Sequence, residues 1–167
     1  MNDKYKQLVP LNLPTFDIKI KKNDDQLLVW DPTRKKQIVL TPEEWVRQHF
    51  VNYLVAQKGY SQSLIANEVA IKLNGTLKRC DTVVYDQQLA PLAIVEYKAP
   101  HITISPAVFD QIARYNMVLR VPYLIVSNGL RHFCCRIDYE ANNYHFLREI
   151  PNADEIGQRS HGPSTTP

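Results

Sequence analysis

The sequence predicts one α/β domain in which helices cover a central mixed β-sheet, with a β-meander before this core and a β-hairpin at its end. Two continuous apolar runs, LAIV at 92–95 and YLIV at 123–126, are typical of strands buried on both faces. Segments with apolar residues at helical spacing precede the first run and separate the two. A length of 167 residues with 44% apolar residues fits one domain with a substantial core.

The N-terminal extension is predicted to be a small antiparallel meander over residues 16–40. The segment FDIKI at 16–20 alternates apolar and polar residues, as a half-buried strand does. LLVW at 27–30 and QIVL at 37–40 are further short apolar runs, and the DPTRKK between them has the composition of a turn. Three short strands are therefore expected here.

The core, residues 41–139, is predicted to open with a helix. Thr41 suits the N-cap, Pro42 suits the first helical position, and Glu44 completes a capping box. Apolar and aromatic residues then recur at helical spacing as far as about Lys58, and Gly59 ends the segment.

Three strands are predicted after this helix, and a second helix follows them. The strands cover residues 68–73, 77–85 and 92–98, with turns at 74–75 and 86–88. The second helix spans about residues 105–120, because Pro106 suits its start and Pro122 ends it.

A strand at 123–127 and a hairpin turning at 141–143 are expected to complete the single domain, which covers residues 1–150. Residues 151–167 are polar and rich in Pro, Gly and Ser, which predicts a disordered tail.

Composition restricts the classes of protein to which the chain can belong. The 20 Lys+Arg against 17 Asp+Glu make it mildly basic, which is compatible with nucleic acid without requiring it. Three cysteines, Cys80, Cys134 and Cys135, do not form a disulfide framework or a Cys-x-x-Cys zinc motif. No signal peptide and no apolar stretch long enough to span a membrane is visible, so a soluble cytoplasmic protein is expected.

Two acids and a lysine form the main candidate site. Glu96 and Lys98 are two apart on a predicted strand, so they share a face and lie about 7 Å apart. If Asp81 lies across the hairpin on that face, both carboxylates can meet around one cation, with the carbonyl of Tyr97 as a further ligand. Mg²⁺ would polarise a phosphoryl group and lower the pKa of a bound water, and the lysine would stabilise the developing charge. The pattern therefore predicts a metal-dependent nuclease.

The order of these residues resembles a known group. Asp81-x14-Glu96-x-Lys98, between two apolar strands and followed by a helix, is similar to the PD-(D/E)xK nuclease superfamily. Gln111-x-x-x-Tyr115 is similar to the Q-x-x-x-Y element of the branch shared by bacterial recombination nucleases and type I restriction enzymes. EYKAP, FDQIARYN and VPYLIVSNGL most closely resemble the nuclease region at the N-terminus of type I restriction enzyme R subunits, a resemblance that covers about residues 41–139.

The resemblance implies a restriction-endonuclease-like core and Mg²⁺-dependent cleavage of DNA, with Mn²⁺ as a substitute cation. Asp81 and Glu96 would be metal ligands and Lys98 the catalytic lysine. Gln111 and Tyr115 would brace the site or contact the DNA backbone. An acid from the first helix often joins the metal shell in this branch, which points to Glu44, with Glu68 on the strand before Asp81 as the alternative.

The chain also departs from the family pattern. Cys80 stands where the family has proline, and no Gly-Lys-Ser/Thr phosphate loop of a translocase is present. The expectation is therefore a stand-alone nuclease or one that is targeted by a separate translocase subunit, as a monomer or as a homodimer.

Other interpretations stay open at this stage. Asp81 could cap a strand end, Glu96 and Lys98 could form a surface ion pair, and the capping box alone would explain Glu44. A catalytically degenerate member that binds nucleic acid or acts as an assembly module is the alternative function. A small-molecule α/β enzyme is disfavoured, because the chain has no nucleotide-binding glycine pattern and no serine nucleophile elbow.

Overall fold

The structure is a computed structural model that describes residues 8–73 and 75–157. Within these ranges the chain forms an α/β fold with two sheets and two α-helices. The smaller sheet is antiparallel with strand order β1-β2-β3. Its strands are β1 (Ile20–Asn23), β2 (Gln26–Asp31) and β3 (Lys36–Val39).

The larger sheet has six strands in the order β4-β5-β6-β7-β8-β9. They are β4 (Ile65–Leu73), β5 (Thr76–Tyr85), β6 (Pro91–Tyr97), β7 (Tyr123–Ser127), β8 (His132–Asp138) and β9 (Asn143–Phe146). The pair β6–β7 is parallel and the other neighbours are antiparallel, so the sheet is mixed as predicted.

Helix α1 (Pro42–Ala56) covers one face of this sheet. The predicted start is confirmed: the Thr41 hydroxyl accepts the backbone N–H of Glu44 at 3.1 Å, and Pro42 is the first helical residue. Phe50 and Leu54 are fully buried against the strands. The apolar stripe of α1 therefore contributes to the core on this side of the sheet.

Helix α2 (Pro106–Met117) connects β6 to β7 and covers the opposite face. Its N-cap is Ser105, whose hydroxyl accepts the backbone N–H of Val108 at 3.2 Å. Phe109 and Ala113 are its buried residues on the sheet side. This helix allows β6 and β7 to pair in parallel, because a parallel pair needs a crossover connection.

Several predicted boundaries are wrong. The segment from Phe16 is not a strand, because the Phe16 ring packs edge-on against His49 of α1 at 5.0 Å and β1 starts only at Ile20. Strand β4 starts at Ile65, three residues before its predicted start at 68. Strand β6 ends at Tyr97, so Lys98 lies just outside it, and Asn74 of the predicted turn lies outside the described residues.

The predicted disorder of the tail is wrong for residues 151–157. The Pro151 carbonyl accepts the Tyr60 hydroxyl at 2.9 Å, and Ala153 donates its N–H to the Lys58 carbonyl at 2.9 Å. Ile156 is buried in the core that α1 covers. Three apolar anchors in a polar segment are enough to fix it, and residues 158–167 of the tail lie outside the described ranges.

All three cysteines are buried and free. In the described residues, no helix is long and apolar enough to cross a membrane.

Gly129 fixes the approach of the N-terminal segment to α1. Its φ is +82°, and a Cβ there would lie 2.7 Å from Leu11 Cδ2 and 3.1 Å from Val46 Cγ2. Gly129→Ala should lower the free energy of unfolding by about 2–3 kcal/mol, from a left-handed backbone and crowding together. Urea denaturation measures this loss.

Gly59 provides the matched control, because its φ is +75° and a Cβ there would meet no atom within 4 Å. Gly59→Ala should cost only the backbone contribution of about 1 kcal/mol. Equal losses in the two variants would contradict the close packing at Gly129.

Candidate functional site

Asp81 and Glu96 meet at the same end of neighbouring strands. The ladder pairs Thr82 of β5 with Val95 of β6, and its continuation places Asp81 opposite Glu96. The Asp81 carboxylate accepts the backbone N–H of Tyr97 at 2.9 Å, which holds it at the end of β6. The structure therefore brings together the two carboxylates that the sequence pattern singles out.

The two carboxylates perturb one another. The pKa of Glu96 is raised, first by burial and then by the negative charge of Asp81. The nearby Lys78 opposes this shift. Paired carboxylates in a partly buried setting fit a divalent cation, because a cation would relieve their repulsion and Mg²⁺ needs only one or two protein carboxylates.

A three-acid shell is not formed. Among residues 8–73 and 75–157, no three carboxylate, imidazole or thiol side chains lie close enough together to hold a metal ion. A cation held by Asp81 and Glu96 would complete its coordination with water, backbone carbonyl or phosphate oxygens.

Lys98 follows directly after β6. Its backbone N–H donates to the Ser127 carbonyl of β7 at 2.9 Å, which fixes its backbone beside the carboxylate pair. Its side chain is half-buried, and within the described ranges the ammonium has no hydrogen bond or ion pair. It is therefore free to bind an anionic group that reaches the end of β6.

Lys78 of β5 is a site residue that the sequence pattern did not reveal. Its side chain is 5% exposed, and its ammonium lies 2.7 Å from Glu96 Oε1. The same ammonium donates to the amide oxygen of Asn116 at 2.5 Å and lies 4.3 Å from the centroid of the Tyr115 ring. Lys78 thus compensates the charge of Glu96 from a buried position.

The regular alternation of side chains along a strand does not predict that Lys78 reaches the site. Lys78 and Asp81 are three apart, so an ideal strand would turn them to opposite faces. The β4–β5 ladder is interrupted between them: Glu68, the residue opposite Asp81, has a left-handed backbone with φ of +56° and the pair is missing. Local distortion lets both side chains reach Glu96.

The two predicted residues of α2 differ in position. Tyr115 is 62% exposed and reaches the site through its contact with Lys78, and Gln111 is exposed on the same helix. The buried partner is instead Asn116, which donates its amide to the Ile112 carbonyl at 2.8 Å and accepts from Lys78. Helix α2 therefore supports the site through an asparagine that the motif does not include.

Glu44 and Glu68 lie in a separate ion-pair cluster. Glu44 is buried and accepts hydrogen bonds from Arg34 at 2.6 Å and from Gln48 at 2.8 Å. Glu68 accepts from Arg47 and Arg79, each at 2.7 Å. Burial raises the pKa of Glu68, but its bonds to the two arginines outweigh burial and hold it below its usual value. Each acid already has a cationic partner, so the structure does not bring either one to the carboxylate pair.

A chain of hydrogen bonds joins the smaller sheet to Asp81. Asn67 of β4 donates to Asp31 of β2 at 3.3 Å and accepts from the Thr82 hydroxyl at 2.7 Å. The Tyr97 hydroxyl donates to Thr82 at 3.0 Å, and its backbone N–H holds Asp81. Each member except Asp81 is fully or almost fully buried. Asp31 is in turn held by Arg34, so the cluster around Glu44 belongs to the same network.

Glu96 should make the metal-free protein lose stability as the pH rises. Its folded-state pKa is raised above 4.5, so its stabilising contribution is complete below that pH and is lost as the pH rises through the folded pKa. Thermal unfolding in EDTA from about pH 4 to about pH 8 should show a steeper loss for wild type than for Glu96→Gln. Excess Mg²⁺ should raise the unfolding midpoint of wild type more than that of Glu96→Gln, because a cation stabilises the ionised carboxylate. Parallel curves in EDTA would contradict the perturbation.

Comparison with known proteins gives a family match and distant matches to solved structures. The model of the family described as Type I restriction enzyme R protein N terminus (HSDR_N) matches residues 42–151. Among solved structures, the fragment structure of a putative HsdR subunit of a type I restriction enzyme from Vibrio vulnificus YJ016 is similar at 20% identity, with a TM-score of 0.49. The similarity covers 70% of this chain and 24% of that chain, so this chain spans about a quarter of it. The search of curated proteins found no match.

Proposed function

This chain belongs to the family of type I restriction enzyme R protein N termini, and we propose that it is a Mg²⁺-dependent nuclease domain that hydrolyses phosphodiester bonds of DNA. The observation that carries the proposal is the pairing of Asp81 with Glu96 at the end of β6, where the backbone of Lys98 follows two residues after Glu96. The two acids lie on neighbouring strands and the lysine follows the second strand, which is the order of acid, acid and lysine that the sequence motif predicts. Interior cleavage of DNA is the mode proposed.

Asp81 and Glu96 would hold the cation. When bound, Mg²⁺ supplies Lewis acidity, which polarises the phosphoryl group and lowers the pKa of a bound water. The chain supplies orientation: the Tyr97 N–H fixes one carboxylate, and the Lys78 ammonium fixes the other. Lys98 would stabilise the negative charge that develops on the phosphate.

Partners follow from the family. A type I restriction enzyme combines DNA cleavage with subunits for targeting and translocation, so the partners proposed are DNA and a separate targeting or translocase activity. A homodimer would allow both DNA strands to be cut.

Incubation of supercoiled and linear DNA with the protein tests the proposal. Mg²⁺ or Mn²⁺ should give nicked and linear products, and EDTA should abolish them. Glu140→Gln, which removes an exposed acid from the β8–β9 turn, should cut as wild type does.

A catalytically degenerate nucleic-acid-binding module is the second candidate. The observation that favours it is the Lys78–Glu96 ion pair, since a resident ammonium already neutralises one carboxylate. DNA binding without metal-dependent nicking in this assay would select it over the nuclease.

A further inference from the structure

A concave surface lies between the start of α2 and the edge strand β9. It is a cavity of about 630 Å³, within the size range of ligand pockets. We define the aromatic cleft by six of its lining residues: Phe109, Phe133, Tyr144, Phe146, Arg131 and Arg148.

The rings of the cleft form one connected group that is open to solvent. Phe146 lies 4.8 Å from Phe109 and 5.5 Å from Tyr144, measured between ring centroids. Phe109 is buried beneath them, but Phe146 is 56% exposed. A large aromatic side chain kept half in solvent beside other rings is available to stack on a planar ligand.

The charged side chains that line the cleft are basic, and the nearest described carboxylate, Asp110, accepts the Tyr144 hydroxyl at 3.2 Å and is paired with Arg114. Arg131 and Arg148 line the cleft and are exposed, and no aspartate or glutamate is among its lining residues. Within the described ranges, neither guanidinium forms an ion pair or a hydrogen bond. The cleft is therefore complementary to a ligand that is both planar and anionic, as a nucleotide is.

The cleft lies on the same sheet face as the carboxylate pair. Glu96 of β6 pairs with Val126 of β7, and Val126 pairs with Phe133 of β8. Two strand spacings separate Glu96 from Phe133, which is about 10 Å along the sheet. The segment that leaves Lys98 leads to Ser105, which caps α2 and lines the cleft. A DNA strand with a phosphate at Glu96 could therefore place a neighbouring nucleotide in the cleft.

We propose that the aromatic cleft binds an unpaired nucleobase of the DNA strand that is cut. The base stacks on Phe146, and the flanking phosphates bind Arg131 and Arg148. This assignment rests on the proposed function for the identity of the ligand, and it adds a preference for single-stranded or frayed DNA. A paired base would keep its faces covered by its neighbours in the duplex, so a blunt duplex would not use the stacking surface.

Binding without cleavage tests this assignment separately from the nuclease activity. Fluorescence anisotropy in EDTA would compare a labelled single-stranded oligonucleotide of mixed sequence with the blunt duplex of the same sequence. Phe146→Ser should weaken single-strand binding about fivefold to tenfold, the lower part of the range for base stacking on an aromatic side chain. Duplex binding should change less than twofold. Phe146→Tyr should keep wild-type affinity because it keeps the ring.

Arg148→Ala should weaken binding and reduce the slope of log affinity against log salt by about one, as the loss of one phosphate contact does. Matched controls are Leu89→Ser, an exposed apolar residue in the β5–β6 turn, and Arg136→Ala, an exposed arginine on β8. Both should bind as wild type does. Thermal unfolding of every variant would check that the fold is kept.

The outcomes separate the two proposals. If binding depends on Phe146 but the protein does not cut DNA, the proposal that the cleft binds a base is supported and the proposed nuclease activity is overturned. If the protein cuts DNA in a metal-dependent way but Phe146→Ser binds as wild type does, the nuclease proposal is supported and base binding in the cleft is overturned. Equal losses for single strand and duplex, or no single-strand binding by wild type, would also overturn base stacking.

Discussion

Replacing Lys78 by methionine should destabilise the metal-free protein by about 2–3 kcal/mol. Removal of one partner from a fully buried ion pair costs about 3–5 kcal/mol, because the remaining charge is buried without compensation. The lower value applies here, since the Glu96 side chain is 17% exposed and can be partly solvated. For a domain of this size, the midpoint of thermal unfolding should fall by roughly 5–10 °C.

A divalent cation should restore much of this loss. Without Lys78, the negative charges of Asp81 and Glu96 lose the buried ammonium that opposes their repulsion, and a bound cation would take its place. Mn²⁺ should therefore raise the unfolding midpoint of Lys78→Met more than it raises that of wild type. Calorimetry should show tighter Mn²⁺ binding by the variant.

Two further variants make the Lys78 result specific. Lys72→Met removes an exposed lysine from β4 and should change stability by less than about 0.5 kcal/mol. The double variant Lys78→Met with Glu96→Gln should lose less unfolding free energy than the sum of the losses of the two single variants, because neither charge is then left without its partner. Additive losses would show that the ion pair contributes nothing.

Asp81→Asn and Glu96→Gln should each reduce metal-dependent cleavage of DNA by at least about 100-fold. Loss of a group that only supports a metal ligand typically costs about 10–100-fold, so loss of a ligand should cost more. The change should appear in kcat together with weaker Mn²⁺ binding, while the affinity for DNA measured in EDTA stays close to wild type. Single-turnover cleavage of a labelled duplex measures the rate.

The same assay decides the roles of the remaining acids. Glu44→Gln and Glu68→Gln should keep Mn²⁺ affinity, since the arginines already occupy these carboxylates. They should lower stability instead, because Arg34 loses one of its two carboxylate partners in Glu44→Gln and Arg47 loses one of its two in Glu68→Gln. A 100-fold loss of cleavage in Glu44→Gln at unchanged stability would instead return this residue to the metal shell.

The elements of this fold that follow local rules could be predicted from the sequence. Thr41 and Pro42 fix the start of α1 through a cap that involves only four residues. Asp81 and Glu96 could be predicted to be neighbours because each lies on a strand with a clear apolar pattern, and the β5–β6 hairpin, with a register shift at Val84 and Tyr85, places them opposite one another. Capping and hairpin register are short-range effects, so a single sequence contains them.

Long-range interactions could not be predicted in the same way. Lys78 reaches Glu96 only because the strand is distorted opposite Glu68, and no periodicity describes that distortion. The arginines that occupy Glu44 come from the β2–β3 turn and from α1 itself, and only the packing of the smaller sheet brings Arg34 close. Residues 151–157 are held by the buried contacts of Pro151, Ala153 and Ile156, and the polar composition of the segment did not predict these contacts.

The hydrogen-bond chain from Asp31 to Asp81 also determines which parts of the protein unfold together. Every link between Asp31, Asn67, Thr82 and Tyr97 lies in a buried environment, where breaking one bond leaves an unsatisfied polar group on each side. These bonds therefore join the three-stranded meander to strands β4, β5 and β6 as one cooperative unit. Amide protons of β2 and of β6 should therefore exchange with deuterium in a single opening event, and a meander that frayed on its own would also release Asp81 from the geometry that a cation requires.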